Sequence, residues 1–279
     1  RLLGYEIIML LKQDTITLEY ERIGSGPLIV LFHSTASSLK QWNSLINLLK
    51  NEFEIIALNL FGYGLTSKWN ESNSPQNLLD HLKLIEPLIT NYNGKITFIG
   101  HSFGGSVAMR AGIEYKNKLD KLILFEPNAF FIFDKKIHSY AYNIANSFGN
   151  KIIDAKINSS WRKFSKIFLE FWIGKGTWEK MNSEQQEKFL QVIPNIYYEA
   201  QSIFNEKMRL NDFINFQKKI YFMNAKNTNF ISKEIKKIFI SKLPNIMHTE
   251  LGEGDHMAPI KLSEVINPLI YKHLKNLTI

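Results

Sequence analysis

The sequence predicts an α/β protein, with a mostly parallel sheet flanked by helices and one all-helical insertion. Two observations lead to this fold class. Short apolar stretches alternate with segments of helical period along most of the chain, which is the pattern of a sheet wound with helices. Between residues 128 and 210 the strand-like stretches stop, and helix-period segments rich in aromatic residues remain. We therefore expect a core formed by residues 1–127 and 211–279 and a helical cap, or lid, formed by residues 128–210.

The first half of the predicted core begins with an antiparallel hairpin. Two alternating stretches, residues 5–12 and 15–22, are joined by Gln13 and Asp14. The run PLIVLFH that follows is continuously apolar, as in a strand buried on both faces of a parallel sheet. The elements predicted next are a helix over residues 39–50, a strand over 53–60, a helix over 75–92, a strand from 95, a helix from 106 and a strand over 121–126.

Strand–helix alternation resumes after the insertion. The sequence predicts a strand over residues 218–224, a helix over 232–243, a strand over 245–251 and a last helix from about residue 258. Open α/β sheets bind ligands outside the carboxyl ends of their strands. The insertion is therefore expected to lie as a cap over that edge.

Composition and length bound the class of protein. The chain has 279 residues, 45% of them hydrophobic and 22% charged, which is ordinary for a globular protein. It contains no apolar run long enough to span a membrane. The start, RLLGYEIIMLLKQD, is interrupted by Glu6 and is expected to form a strand rather than a signal peptide. The absence of cysteine excludes disulfides and thiolate zinc sites and fits a cytoplasmic protein.

The net charge of +8 raises the question of a polyanionic partner. The basic excess is almost wholly lysine, spread along the chain without a dense basic run. The charge therefore favours solvated surfaces over a nucleic-acid or anionic-membrane site, and no nucleic-acid partner is expected.

The most informative motif is Gly100-His101-Ser102-Phe103-Gly104. It follows an apolar strand and opens into the helix-forming run SVAMRAGIEY. A serine between two glycines at a strand-to-helix turn is a nucleophile elbow, which exposes the hydroxyl next to a helix N-terminus. The pattern predicts an enzyme with Ser102 as nucleophile, and a plain glycine-rich turn is the alternative.

A serine hydroxyl needs an imidazole base, and the imidazole needs a carboxylate. The glycine-rich loop at residues 252–257 lies between the last strand and the last helix and contains His256. Flexible backbone on both sides lets this histidine reach the sheet edge, so His256 is the predicted base. His101 is expected to support the elbow. The remaining candidates lie in helix or strand patterns and are expected to be packing or surface residues: His81, His138, His248 and His273.

An oxyanion needs two backbone donors. One is expected to be the amide of Phe103, directly after the nucleophile. The other is expected from the small polar loop at residues 33–38, with Thr35 as the first candidate and Ser34 as the second. A simple polar loop is the alternative.

Taken together, these residues resemble the α/β-hydrolase superfamily over nearly the whole chain. The matching stretches are LFHSTASSLKQW, NLFGYGLTS, GHSFGG, LFEPNAF, FWIGKGTWEKM and GEGDHMAPI. The resemblance implies the α/β-hydrolase fold and a Ser-His-acid hydrolase with a helical lid, acting without a cofactor on esters or related acyl compounds. The chain has Ser34 after His33 where the family usually has glycine, so Ser34 is expected to adopt the backbone angles of that glycine. It also has Asn59 where many relatives have a structural Asp.

The third departure concerns the acid. Most members carry it after the strand that follows the cap, but residues 224–229 of this chain contain no carboxylate. Some members place it after the strand that follows the elbow helix, where this chain has Glu126. An unpaired carboxylate at the end of an apolar strand is costly to bury. Glu126 is therefore the predicted acid, with Asp134 and Asp255 as alternatives.

The leading hypothesis is a serine hydrolase that cleaves small or medium apolar esters through an acyl-enzyme on Ser102. Haloalkane dehalogenases and epoxide hydrolases are excluded because they need an Asp nucleophile. Carbon–carbon bond hydrolases, lactonases and perhydrolases share the same triad and stay open, as does a hydrolase-like receptor for a small ligand with little turnover. No cofactor and no metal are expected.

Overall fold

A computed structural model describes residues 8–73, 75–214, 216 and 218–277. Within these residues the strands are β1 (Ile8–Gln13), β2 (Ile16–Ile23), β3 (Leu28–Phe32), β4 (Glu54–Leu58), β5 (Ile96–His101), β6 (Leu119–Phe125), β7 (Lys219–Ala225) and β8 (Ile246–Leu251). They form a sheet in the order β1-β2-β4-β3-β5-β6-β7-β8. Strand β2 pairs antiparallel with β1 and β4, and the other neighbours are parallel. The predicted mostly parallel sheet is confirmed.

The helices follow the strands in the predicted alternation. They are α1 (Asn43–Leu49), α2 (Leu78–Ile89), α3 (Phe103–Glu114), α4 (Ser139–Ile157), α5 (Trp161–Trp172), α6 (Thr177–Lys180), α7 (Ser183–Val192), α8 (Ile196–Phe204), α9 (Asn211–Ile214), α10 (Phe230–Lys242), α11 (Ala258–Lys261) and α12 (Ser263–Lys275). Short 3₁₀ turns occur at Leu39–Trp42, Phe130–Ile132 and Ile193–Asn195. None of the helices in the described part of the chain combines the length and the apolar character that crossing a membrane requires.

The N-terminal hairpin differs from its prediction at the turn. Gln13 still pairs with Ile16, so the turn falls on Asp14 and Thr15 rather than on Gln13 and Asp14. Asp14 has φ +51°, and Asp tolerates this left-handed conformation better than most residues. The predicted beginning of the first strand, at Tyr5, lies outside the described residues.

The predicted helix boundaries shift where local hydrogen bonds compete with the helix pattern. The segment predicted as one helix over residues 39–50 is a 3₁₀ turn followed by α1. Helix α2 begins at Leu78 rather than at residue 75. The Asp80 carboxylate accepts a hydrogen bond from the backbone amide of Asn77 at 2.9 Å, which stabilises the N-terminus of α2 at Leu78.

The sheet is buried on both faces, which explains its continuously apolar strands. Along β3, Val30 and Phe32 belong to one core cluster with α2, α3 and α10, whereas Ile29 and Leu31 belong to the opposite cluster with α1 and α12. Because side chains alternate along a strand, a single apolar run serves both faces.

Between β6 and β7 the described residues form helices and 3₁₀ turns without a strand. We call residues 128–210 the helical insertion. Its aromatic side chains, among them Phe148, Phe164 and Phe168, are continuous with the core cluster on the α3 face of the sheet. The insertion therefore packs onto the core through a shared apolar layer.

Candidate active site

Ser102 occupies the junction between β5 and α3. Its backbone has φ +56° and ψ −120°, a conformation that is strained for a residue with a side chain and that occurs mostly at functional sites. The Ser102 amide donates to the Phe125 carbonyl at 3.0 Å, which fixes the turn against β6. A Cβ on Gly104 would lie 2.3 Å from the carbonyl oxygens of Phe32 and His33. Only glycine at that position lets α3 approach the end of β3.

His256 lies in the loop between β8 and α11, as predicted. Its Nε2 lies 2.8 Å from Ser102 Oγ and accepts the hydroxyl proton. The backbone of His256 is also held, because His101 Nε2 donates to the His256 carbonyl at 2.8 Å. Gln41 Nε2 donates to His101 Nδ1 at 3.1 Å, which leaves the proton of His101 on Nε2. Burial, and then the proximity of His256, lower the pKa of His101 well below its usual value, so this ring stays neutral.

Glu126, directly after β6, meets the other side of the His256 ring. Its Oε2 lies 2.7 Å from His256 Nδ1, the nitrogen that donates. The last residue of β7 and the loop after it, which has no carboxylate of its own, supply two further donors to Glu126. They are the Ala225 amide at 2.9 Å and the Thr228 hydroxyl at 2.6 Å. Glu126 has φ +41°, so both the serine and the carboxylate occupy strained backbone positions.

The two alternative carboxylates lie elsewhere. Asp134 Oδ1 accepts the amides of Lys136 and Ile137 at the protein surface. Asp255 accepts the amide of Met257 and pairs with Lys261 at 2.9 Å. Neither carboxylate contacts His256.

In the loop after β3, the backbone amides on either side of Thr35 both have acceptors. The Ser34 amide donates to Gln41 Oε1 at 3.1 Å, and the Ala36 amide donates to the Tyr63 hydroxyl at 3.0 Å. The Thr35 amide between them has no partner in the described part of the chain, and neither has the Phe103 amide at the start of α3. Thr35 and Phe103 line one cavity.

Ser34, which stands where the family usually has glycine, is not among the residues with positive φ. The left-handed residue of this loop is Ala36, with φ +57°. Asn59, the other departure, is structural: its side chain donates to Glu19 Oε2 at 2.7 Å and accepts the Leu39 amide at 2.7 Å.

Asn128 was not anticipated from the sequence. Its side-chain Oδ1 lies 3.3 Å from Ser102 Oγ, and its backbone amide donates to the Ser102 carbonyl at 3.1 Å. It is the first residue of the helical insertion, and it contacts Ser102 directly. Its position two residues after Glu126 was the only signal in the sequence.

The cavity beside the elbow is small and mostly apolar. Its volume is about 20 Å³, which is room for about one water molecule. Five aromatic residues of the insertion line it: Phe130, Phe148, Phe168, Trp172 and Phe204. Trp172 also stacks on the His256 ring, with centroids 4.4 Å apart and the planes at 28°. Ser102 is only 3% exposed, so the insertion covers this serine.

Glu199, on α8, brings a carboxylate of the insertion into this cavity. It is 3% exposed, and burial raises its pKa to about 7 against the opposing effect of hydrogen bonds from Thr35 and Tyr63. No motif marked it, since a helix-period pattern does not show which polar residue faces a partner surface.

His81 is a buried histidine whose ring nitrogens have no hydrogen-bond partner among the described residues. Its ring packs edge-on against Phe61 and Phe103. Burial, with a smaller effect of His33, lowers the pKa of His81 from 6.5 to about 3. Between pH 6.5 and about 3, His81 therefore binds a proton in the unfolded chain but not in the folded chain. The free energy of unfolding falls as the pH drops through this range.

Replacing His81 with Phe should remove this acid sensitivity. At about pH 5 the His81 ring costs about 2 kcal/mol of stability relative to about pH 7.5. Urea unfolding of both proteins at the two pH values measures the difference. His33, with a pKa lowered by burial to about 4, stays in both proteins and keeps part of the slope. An equal loss of stability in H81F and the wild type on acidification would contradict the assignment.

Glu199 has the opposite pH effect. Its raised pKa means that the folded chain retains a proton between pH 4.5 and about 7 that the unfolded chain has lost. Its contribution to stability therefore decreases as the pH rises through that window. The comparison with H81F at matched pH cancels this effect because both proteins contain Glu199.

Comparisons with known proteins agree with this architecture. A family model described as alpha/beta hydrolase fold matches residues 27–261. A pimeloyl-(acyl-carrier protein) methyl ester esterase of Legionella pneumophila (strain Corby) is 27% identical over 202 residues, which are 65% of this chain and 78% of the relative. A 2-hydroxy-6-oxo-6-(2'-aminophenyl)hexa-2,4-dienoic acid hydrolase of Metapseudomonas resinovorans is 25% identical over 112 residues, 38% of this chain and 37% of that protein.

The fold also superposes on solved structures. The enol-lactonase of Burkholderia xenovorans LB400 matches 96% of this chain and 100% of its own with a TM-score of 0.76 and 13% identity. At that identity the likeness concerns the fold alone. The family model covers most of the chain, and the mostly parallel eight-stranded sheet flanked by helices agrees with it. The chain belongs to the alpha/beta hydrolase fold family.

Proposed function

We propose that the protein is a serine hydrolase that cleaves small or medium apolar esters through an acyl-enzyme on Ser102. One observation carries the proposal, namely the continuous hydrogen-bond chain from Ser102 through His256 to Glu126, with distances of 2.8 and 2.7 Å. In a serine hydrolase this arrangement makes the hydroxyl nucleophilic and stabilises the imidazolium that forms. The methyl ester esterase of Legionella, by its name, supports an ester as the substrate.

The proposed reaction has two halves. Ser102 Oγ attacks the ester carbonyl carbon while its proton moves to His256 Nε2, and the carbonyl oxygen becomes an oxyanion held by the amides of Thr35 and Phe103. The carbon–oxygen bond to the alcohol breaks, and His256 returns the proton to the departing alcohol. Water then attacks the acyl-enzyme with His256 as base, which releases the acid and restores Ser102. Glu126 stays ionised throughout and stabilises the His256 imidazolium.

The cavity defines what this site accepts. Aromatic and aliphatic side chains of the insertion form most of its wall, which favours an apolar acyl or alcohol group. Its volume of about 20 Å³ is far below that of an ester, so the insertion moves before a substrate binds. A groove of about 360 Å³ between α4 and α8 shares Ile152, Ala200 and Phe204 with the cavity. These three residues therefore lie between the cavity and the groove.

A fluorophosphonate tests the proposal directly. The reagent should form one covalent adduct on the peptide that contains Ser102, as read by mass spectrometry, and p-nitrophenyl esters should release nitrophenol with a burst. Binding of an apolar ligand without turnover would instead support a receptor. Faster cleavage of a vinylogous diketone than of any ester would instead support a carbon–carbon bond hydrolase; the relative from Metapseudomonas is named as a hydrolase of a 2-hydroxy-6-oxo-dienoic acid.

The insertion should control which ester is preferred. Phe168 lines the cavity and is 8% exposed, so Phe168→Ala enlarges the acyl site by several methylene volumes. Each buried methylene contributes about 0.8 kcal/mol, so preference should move toward longer acyl chains by about tenfold in relative kcat/KM. The measurement is kcat/KM for p-nitrophenyl esters from acetate to dodecanoate.

Trp161→Ala is the matched control for the cavity variant. Trp161 also belongs to the insertion and packs edge-on against Phe164, but it does not line the cavity. Its removal should leave the chain-length profile of the wild type. The role of the insertion in selecting the substrate is wrong if F168A and W161A give the same profile.

A further inference from the structure

Glu199 is the carboxylate through which the helical insertion reaches the core loops at the elbow. It projects from α8 into the cavity, and its hydrogen-bond donors both belong to the core. Oε2 accepts a short hydrogen bond from the Thr35 hydroxyl, and Oε1 accepts from the Tyr63 hydroxyl at 2.6 Å. The partners lie 164 and 136 residues away in sequence. Nothing in the proposed reaction uses this group.

The two hydrogen bonds of Glu199 both connect it to the loop after β3, one directly and one through Tyr63. Thr35 is contacted through its side chain. The Tyr63 hydroxyl that donates to Glu199 also accepts the Ala36 amide at 3.0 Å, so Ala36 is connected to the same carboxylate. On the other side of Thr35, the Ser34 amide is held by Gln41. Among the described residues, the Thr35 amide is thus a donor without an acceptor, and the amides on both sides of it are hydrogen-bonded.

We propose that Glu199 is a positioning residue that directs the Thr35 amide toward the oxyanion, so that the oxyanion site is complete only when the insertion is seated on the core. The inference rests on the proposed function, since it assigns Glu199 a part in the same site. Its physical basis is that an oxyanion donor acts only when it is directed at the position where negative charge develops. The left-handed φ of Ala36 is a strained backbone position that surrounding contacts must hold in place.

Burial of the carboxylate argues against a purely adhesive role. A carboxylate that only fastened the insertion would be more stable at a solvated edge, because burial raises the pKa of Glu199 to about 7 and penalises its charged form. The insertion also has an uncharged contact with the core loop that contains Tyr63. In this contact, Asn195 Nδ2 donates to the Gly62 carbonyl at 2.8 Å. Asn195 therefore serves as a control for seating alone.

The test compares steady-state kinetics of p-nitrophenyl butyrate hydrolysis in Glu199→Leu, Thr35→Val, the double variant and Asn195→Ala. Leucine fills the volume of the glutamate without an acceptor, and valine removes the Thr35 hydroxyl while keeping the amide. Glu199→Leu should lower kcat by about 10- to 100-fold, because a displaced oxyanion donor loses much of the 10²- to 10³-fold that such a donor supplies. KM should stay within about twofold, because the interaction arises in the transition state.

The double variant separates positioning from binding. If Glu199 acts through Thr35, the two losses are not additive, and the double variant is no slower than the slower single variant. Asn195→Ala should keep kcat within about twofold of the wild type. Should Glu199→Leu fail to fold, Glu199→Gln replaces it, since one acceptor oxygen remains and a smaller fall in kcat at unchanged KM is expected.

Three results would overturn the inference. They are wild-type kcat in both Glu199 variants, a change confined to KM, or additive losses with Thr35→Val. Failure of the proposed function looks different, because the wild type itself would then neither turn over the ester nor form the fluorophosphonate adduct on Ser102.

Discussion

Replacing Ser102 with alanine should abolish ester turnover, lowering kcat by about 10⁶-fold. Among the described residues, His256 Nε2 has no hydrogen-bond partner other than Ser102 Oγ at 2.8 Å. Without that hydroxyl, the attacking group can only be water held by the remaining site. The measurement is the rate of p-nitrophenyl ester hydrolysis, together with the fluorophosphonate adduct, which should vanish from the same peptide.

Ser106→Ala is the matched control. Ser106 lies one helical turn further along α3, is fully buried and has no partner for its hydroxyl among the described residues. Its replacement changes a serine of the same helix without touching the relay, so activity should stay near that of the wild type. Full activity in S102A, or a lasting adduct on another serine, would remove Ser102 as nucleophile.

Glu126→Gln should lower kcat by about 10⁴-fold while the fold stays intact. The neutral amide cannot stabilise the imidazolium. If its NH₂ group turns toward His256 Nδ1, the ring must accept there, and its proton moves to Nε2. Nε2 then cannot take the proton of Ser102. Steady-state kinetics together with urea unfolding separates this chemical effect from loss of structure.

Asp134→Asn and Asp255→Asn are controls for the acid. Both carboxylates are engaged elsewhere, with backbone amides in one case and with Lys261 in the other, so both variants should retain most activity. Normal turnover in E126Q with a silent D255N or D134N would mean that the acid has been misassigned, although the hydrolase proposal would stand.

The parts of the structure that follow from local pattern were predictable from the sequence. Apolar runs located the parallel strands, and strand ends located the loops, because the carboxyl ends of parallel strands share one edge. Ser102 and Glu126 lie directly after strands, and His256 lies in the loop that follows β8, so the same reasoning placed them together. Their roles in the reaction stay predictions. Errors of one to three residues arose where a capping carboxylate or a left-handed Asp set the boundary.

Contacts between the insertion and the core were not predictable in this way. Glu199 lies in a helix whose period shows that one face is apolar, but not which distant loop packs against it. Its partners depend on how α8 is oriented over the sheet, which is a property of the whole packed insertion. The stacking of Trp172 on His256 also depends on the packing of the whole insertion. The same packing determines which aromatic side chains line the cavity, among them Phe130, Phe168 and Trp172.

The location of Glu126 directly after β6 has a consequence for how activity is lost. β5 and β6 are neighbouring parallel strands, and the turn at Ser102 is tied to β6 by the bond from its amide to Phe125. The hydroxyl and the carboxylate therefore belong to one rigid unit in the middle of the sheet. His256 instead depends on a surface loop with a left-handed glycine at Gly254, and loops of this kind open at lower free energy than central strands. Because opening of this loop alone separates His256 from Ser102 and Glu126, we expect hydrolysis to be lost on heating or in denaturant before the sheet unfolds.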